Sequence, residues 1–361
     1  MNRAEAGAPA RTPLLTHEGP PMPRLCLPAV LALALIGSAA HAQPAASYVL
    51  AKSTPLGAPD RWDYVVFDGA TGRVYVAHGD NLAVIDARSG ELVGQVDAAP
   101  GGTHGTAISV ATGQGFTDDG RAGTAVAFDL KTLTVKKSIL ADQDADAIVA
   151  DPATGHVFVI EGDPGAITVI DPQSDAAVGT IVAGEKLEAA VAGEPGVIYV
   201  AGNGKSEALK IDARTNTLVA RWPTPDCQGP HGMAYDPEGR RLFMGCVNSK
   251  LMVIDTGSGR VVAELDIGRG SDALAFDPKR RRLFSSDGAD GAITVYQQTS
   301  PDSYAALARV TTAVSGRTMA VDPETGRLFV AAAETEPAAT PGGRPVRKPG
   351  TLRVLMFDPV R

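Results

Sequence analysis

A turn-and-strand unit recurs seven times along this chain, and few folds can absorb such a repeat. Asp-Pro turns open DPATGHVFV at Asp151, DPEGRRLFM at Asp236, DPKRRRLFS at Asp277 and DPETGRLFV at Asp322. DGATGRVYV at Asp68 is the same unit with Gly for Pro; VATGQGFT at Val110 and AGEPGVIYV at Ala192 are degenerate copies. Asp-Pro followed by Gly makes a tight turn between short strands. A second apolar strand follows each copy: NLAVID (Asn81), TAVAFD (Thr124), AITVID (Ala166), EALKID (Glu207), KLMVID (Lys250), AITVY (Ala292) and LRVLMFD (Leu352). A further strand closes most units, as in RVVAELDIG from Arg260. Four short strands per roughly 40–45 residues, repeated, predict an all-β, seven-bladed β-propeller with four-stranded blades. A β-solenoid would have shorter repeats, and a two-sheet sandwich would not repeat in this way. The seventh unit ends at Asp358 with three strands, so the spare strand SYVLAKS (Ser47–Ser53) is expected to complete the last blade and lock the ring.

The N-terminal region stands apart. Met22-Pro23-Arg24 is a short positive start, and Leu25–Ile36 is an apolar run too short to span a bilayer as a helix. Ser38-Ala39-Ala40-His41-Ala42 then ends in an A-x-A pattern. Residues 1–42 therefore read as a secretory signal removed after Ala42, with Met22 as a candidate true start, and residues 43–361 as one propeller domain. Cys26 lies before the apolar core rather than at a cleavage site and is not read as a lipid anchor. The mature chain is expected in the periplasm, soluble and monomeric. It carries 30 basic against 39 acidic residues, a balance that argues against a phosphate backbone as partner.

The VYVA, VFVI and IYVA strands, each after a D-P-x-T-G turn or a relic of it, resemble those of the YVTN-type seven-bladed propellers, the YncE-like group. The resemblance covers Ser47 to Asp358. It implies the fold, and for function only a range: binding modules, lactonases, lyases such as those acting on streptogramins, and subunits of redox enzymes. Fold alone does not choose among them.

The repeats align on their turns, and one position stands out. His231 lies five residues before Asp236, and the same offset from the other turns gives Asp63, Asp146, Asp272 and Arg317. Apolar alignment of the degenerate copies adds His104 and Glu188. Successive members are 41, 42, 42, 43, 41 and 45 residues apart, and all seven are ionisable in a chain that is 20% charged. In a propeller this position begins the innermost strand beside the central channel, so the seven predict a ring at the channel mouth. A second tier lies three residues beyond the aromatic of the next strand and includes His78, Asp119, Glu161 and Asp287; it is expected at the same end, as further ligand-binding residues. A wet channel can carry polar residues with no function. Crowded carboxylates, however, raise one another's pKa and call for a cation.

A divalent metal or a cationic ligand is the expected remedy. His104, Glu188 and His231 are the metal candidates, with His78 as a fourth, a donor set suited to Zn, Mn, Fe or Ni. Such a metal would activate water or polarise a carbonyl, with Asp146 or Asp272 as base and Arg317 holding an anionic group. Cys227 and Cys246 remain in the mature chain, an even number for an oxidising compartment, and a disulfide between them is expected to steady the His231 loop. A Cys227–His231–Cys246 metal site is the alternative. The Pro- and Gly-rich insertion Glu334–Gly350 should hang over the same mouth, as a lid or as a plain surface loop. DQDAD at Asp142 lacks the Gly and Glu of a calcium loop, GNGK at Gly202 lacks the spacing of a phosphate loop, and no CxxCH motif for covalent haem is present. The sequence thus points to an exported propeller binding a metal or small molecule at its mouth, as a lactonase-like hydrolase or a lyase. The alternative is a non-enzymatic scaffold that grips an envelope protein.

Overall fold

Each Asp that opens a repeat caps its own turn. The Asp151 carboxylate accepts the N–H of Ala153 at 3.3 Å and of Thr154 at 2.9 Å. Asp236 does the same for Glu238 and Gly239, and Asp277 for Lys279 and Arg280. A short carboxylate that bonds its own backbone two residues on is what makes Asp a turn former. Four residues after the Asp the chain turns through positive φ. Gly72, Gly155 and Gly326 supply that conformation in three copies, and Arg240 and Arg281 adopt it where glycine is missing.

The computed structural model describes Gly19, residues 48–338 and residues 345–360. The expected signal region, its cleavage after Ala42 and Cys26 lie outside the described residues, as do Ser47 and the tip of the seventh-blade insertion. The described chain is all-β and forms seven antiparallel blades. Counting from the first repeat, the innermost strands are Trp62–Asp68, Thr106–Ser109, Ala145–Ala150, Leu187–Ala192, Pro230–Asp236, Ser271–Asp277 and Thr318–Val321. Each packs on the next, and the last returns to the first. The seventh blade closes as the sequence predicts, with Tyr48–Pro55 pairing antiparallel to Arg353–Pro359 as its outer strand. Tyr48 is buried edge-on against Phe284 of the sixth blade at 5.6 Å, under the Arg282 guanidinium. The sixth blade departs from the plan: its third strand, Ala292–Ser300, pairs with both Ser303–Ala306 and Val310–Thr311, so the outer strand is broken in two.

The aromatic of each second strand anchors the core. Tyr75, Phe116, Phe158, Tyr199, Phe243, Phe284 and Phe329 are all fully buried, each in an apolar layer shared with a neighbouring blade. Two features shape the channel between the innermost strands. In five blades the pairing register of that strand slips near its start: between Trp62 and Val65, Ala145 and Ala147, Leu187 and Ala190, Pro230 and Met233, and Ser271 and Leu274. Such bulges re-aim the side chain they carry. Tyr64 meanwhile reaches from the first blade onto the apolar layers of blades three to five. Beyond it lies a cavity of about 350 Å³ lined by Val66, Ile108, Val149 and Val191. The channel therefore has an ionic mouth and an aliphatic far half, with Tyr64 between them.

Candidate functional site

The five bulges fall on five members of the ring. Asp63, Asp146, Glu188, His231 and Asp272 are each the second residue of an innermost strand, inside the slipped register. His104 and Arg317 precede theirs by one or two residues. The structure brings all seven to one end of the channel as a closed chain of neighbours. Arg317 donates to Asp272 and, at 3.2 Å, to Asp63, and its Nη2 also reaches the Trp62 carbonyl at 2.7 Å. His104 is tied to the strands of Asp63 and Asp146 through the Tyr64 N–H and the Ala145 carbonyl, each at 2.9 Å, and feels the charge of both carboxylates. The Asp146 charge in turn acts on Glu188. His231 Nε2 lies 3.4 Å from Glu188 and 3.7 Å from Asp272, and that closes the loop. His231 Nδ1 donates to the Gly229 carbonyl at 3.3 Å, which leaves Nε2 toward the two carboxylates.

The electrostatics follow from burial and crowding. Burial is the largest influence on Asp63; Arg317 opposes it, Asp272 adds to it, and the carboxyl is pushed up to about 7. Glu188 also rises to about 7, through burial, against the pull of His231 and with the push of Asp146. Asp146 is raised by burial despite His104. Burial disfavours the charged form of His104, but the Asp118 hydrogen bond and carboxylate, with Asp63 and Asp146, outweigh it and raise the imidazole to about 9. Arg317 is likewise desolvated, and Asp63 and Asp272 more than compensate. The mouth thus holds two carboxyls that exchange protons near neutral pH beside a charged imidazole.

The expected metal triad is only partly gathered. Glu188 and His231 meet, but His104 Nδ1 is engaged at 2.9 Å by both Asp118 and the Ala145 carbonyl, within a different arc of the ring. Among the described residues no group of three His, Cys, Asp or Glu side chains is arranged to hold a metal. The second tier is placed at the expected end of each blade but is turned away from the channel. Asp119 accepts the N–H of Gly101 and Ala122, and Glu161 accepts that of Asp142. Asp287 takes Ser285, Thr294 and Arg309, and His78 donates to the Pro59 carbonyl at 2.8 Å. These four side chains clasp loops; Asp119, Asp287 and His78 are buried and hydrogen-bonded, while Glu161 keeps its buried Oε2 without a partner among the described residues.

Four contributors at the mouth or just beneath it went unread in the sequence. Asp118 is fully buried and holds His104 and the N–H of Gly105; its signal was the doubled acid Asp118-Asp119. Trp62 supplies a carbonyl to Arg317 and its ring to Arg347, whose guanidinium sits 4.3 Å from the ring centroid. Arg347 comes from the insertion, whose short hairpin pairs Thr335–Glu336 with Val346–Arg347 over the mouth. Tyr64 forms the floor. Cys227 and Cys246 are joined in a disulfide, so the alternative Cys–His–Cys metal site is not formed. The bond ties the loop before His231 to the second strand of its blade, whose Cys246 pairs with Pro230.

No family model matches the chain, and no curated protein matches it significantly. Solved structures do. The chain is similar to a hydrazine synthase structure from Kuenenia stuttgartiensis, with TM-score 0.65 and 14% identity over 81% of this chain and 95% of that one. It is similar to a structure of U3-55K, with TM-score 0.70 and 11% identity over 88% and 100% of the two chains. The RRP9 WD40 repeats match with TM-score 0.71 and 11% identity over 89% and 99%. At such low identity these likenesses carry the fold alone, and together with the blades described above they make the chain a seven-bladed β-propeller.

Proposed function

We propose that the protein is an exported propeller, of the YVTN or YncE-like kind its strands resemble, that binds a small cationic ligand at the channel mouth. One observation carries this reading: the ring presents four carboxylates against Arg317 and His104, with two of them raised to about 7. A protonated amine between Glu188, Asp146 and Asp272 would relieve that crowding, and each contact would be a charge-assisted hydrogen bond. A divalent ion is the other cation the ring could take, with Glu188 and His231 as its protein ligands. Glu188, poised near neutral pH beside His231, is the acid–base group that a lactonase-like hydrolysis or a lyase reaction would use. The Cys227–Cys246 disulfide supports an oxidising compartment. No helix among the described residues is long and apolar enough to cross a membrane.

The test is calorimetric titration of protein purified without chelator, using butylamine and then Zn, Mn and Ca ions. The expected result is saturable binding of one cation per chain, weakened about tenfold or more in Glu188→Gln, the loss of one charge-assisted contact. Elemental analysis of the same preparation separates metal from amine, and the His231→Ala variant would lose the metal. Absence of any cation binding sinks the reading and leaves a scaffold for an envelope protein, to be sought by pull-down.

A further inference from the structure

Arg347 is a cation of the mouth that forms no ion pair among the described residues. Its guanidinium is stacked on Trp62 and donates to the Asp60 carbonyl at 3.1 Å. The carboxylates around it are already committed. Asp60 accepts the N–H groups of Gly350, Thr351 and Leu352, while Asp63 and Asp272 are paired with Arg317. Arg317 itself keeps a buried Nε with no hydrogen-bond partner among the described residues. Both arginines line one cavity of about 440 Å³, together with His231, Asp272, Ser271 and Thr335, a size that suits a small molecule. Burial, and then the neighbouring Arg317, push the Arg347 pKa down, the direction in which an added anion would help.

We propose that this cavity binds a small zwitterion, its carboxylate held by Arg347 beside Arg317 and its protonated amine resting on Asp272 Oδ1, which faces His231 while Oδ2 is paired with Arg317. The proposal rests on the cation reading above and adds the anionic end. The ligand's charges are dictated by the walls. A phosphate dianion would meet the repulsion of the ring carboxylates, and a simple amine would leave the half of the cavity beside Arg347 without a matching charge. A ligand carrying one of each charge answers both, and Arg347, already fixed against Trp62, gives up little side-chain freedom on binding it.

The experiment compares three probe sets by calorimetry: the ω-amino acids from glycine to 6-aminohexanoate, the alkylamines of matching length, and the matching fatty acids. In the native protein at least one amino acid should bind about tenfold or more tightly than its amine, the gain expected of a charge-assisted contact. Arg347→Gln should abolish that advantage while leaving amine affinity unchanged, and Arg347→Lys should restore part of it. Arg347 sits on an exposed hairpin, so the variants are expected to melt with the native protein. Amino acids that bind no better than amines, or an advantage that survives Arg347→Gln, would overturn the proposal. If fatty acids bind through Arg347 while amines do not bind at all, the anion site stands and the cation reading fails, which also overturns the zwitterion.

Discussion

Glu188 offers the sharpest test of the electrostatics, because neutralising it should stabilise the protein, and only at the right pH. Its folded pKa of about 7 lies above the 4.5 of an exposed glutamate, chiefly through burial. The folded state therefore holds the proton more tightly than the unfolded one. The stability this confers is complete below the unfolded value and is lost as pH rises through the folded value. Gln cannot ionise, so Glu188→Gln keeps that stability at every pH. From the two pKa values the variant should exceed the native protein by about 1 kcal/mol at pH 5 and about 3 kcal/mol at pH 8. The side chain is 16% exposed, so some water reaches it, and about 2 kcal/mol is a fair figure for the increase between the two pH values. For a domain of this size that is roughly 4 °C in melting midpoint. Thermal and urea unfolding of both proteins at pH 5, 6, 7 and 8 would measure it. A Glu188→Gln protein that is less stable than native by the same amount at every pH would refute the reasoning, since it would mean that Glu188 is a charged structural partner of His231 and not a strained acid.

Three further outcomes follow from particular contacts. Asp118→Asn removes the largest influence holding His104 protonated, so the imidazole should fall from about 9, with Asp63 and Asp146 left to oppose burial; NMR titration of the ring nitrogens reads this directly, and an unmoved titration would assign the shift elsewhere. Reducing the disulfide, or Cys227→Ser with Cys246→Ser, should lower stability by about 3 kcal/mol for a closed loop of this length, measured by urea unfolding with and without dithiothreitol. Tyr48→Ala removes the buried ring that anchors the closing strand on Phe284 and should destabilise by about 3–4 kcal/mol; if the loss stays within 1 kcal/mol, the N-terminal strand is not what locks the ring.

The fold was legible because a propeller repeats its physics. Each blade needs a turn, a buried aromatic and an edge to lay on the next blade, so Asp151, Asp236 and Asp277 recur with their aromatics at fixed spacing. The ring was legible for the same reason: five bulges recur at one place and throw Asp63, Asp146, Glu188, His231 and Asp272 to the same side. In the second blade the ring partner lies one residue before the second-tier position. Along a strand successive side chains face opposite ways, so in the second blade Asp118 reaches His104 while Asp119 turns outward to clasp a loop. An alignment fixes the offset from a turn but not the parity of the face, and a one-residue error exchanges a ring partner for a loop clasp. The break in the sixth blade, the crossing of Tyr64 and the descent of Arg347 onto Trp62 had no periodic signal at all, since each occurs once. Symmetry therefore explains why seven ionisable groups meet, and the departures from symmetry say what they can do. A ring of seven like residues would only attract counter-ions. Placing His104 on Asp118, His231 between Glu188 and Asp272, and Arg317 in the same cavity as Arg347 gives the mouth carboxylates and guanidinium groups side by side, the two charges that the proposed zwitterion would match.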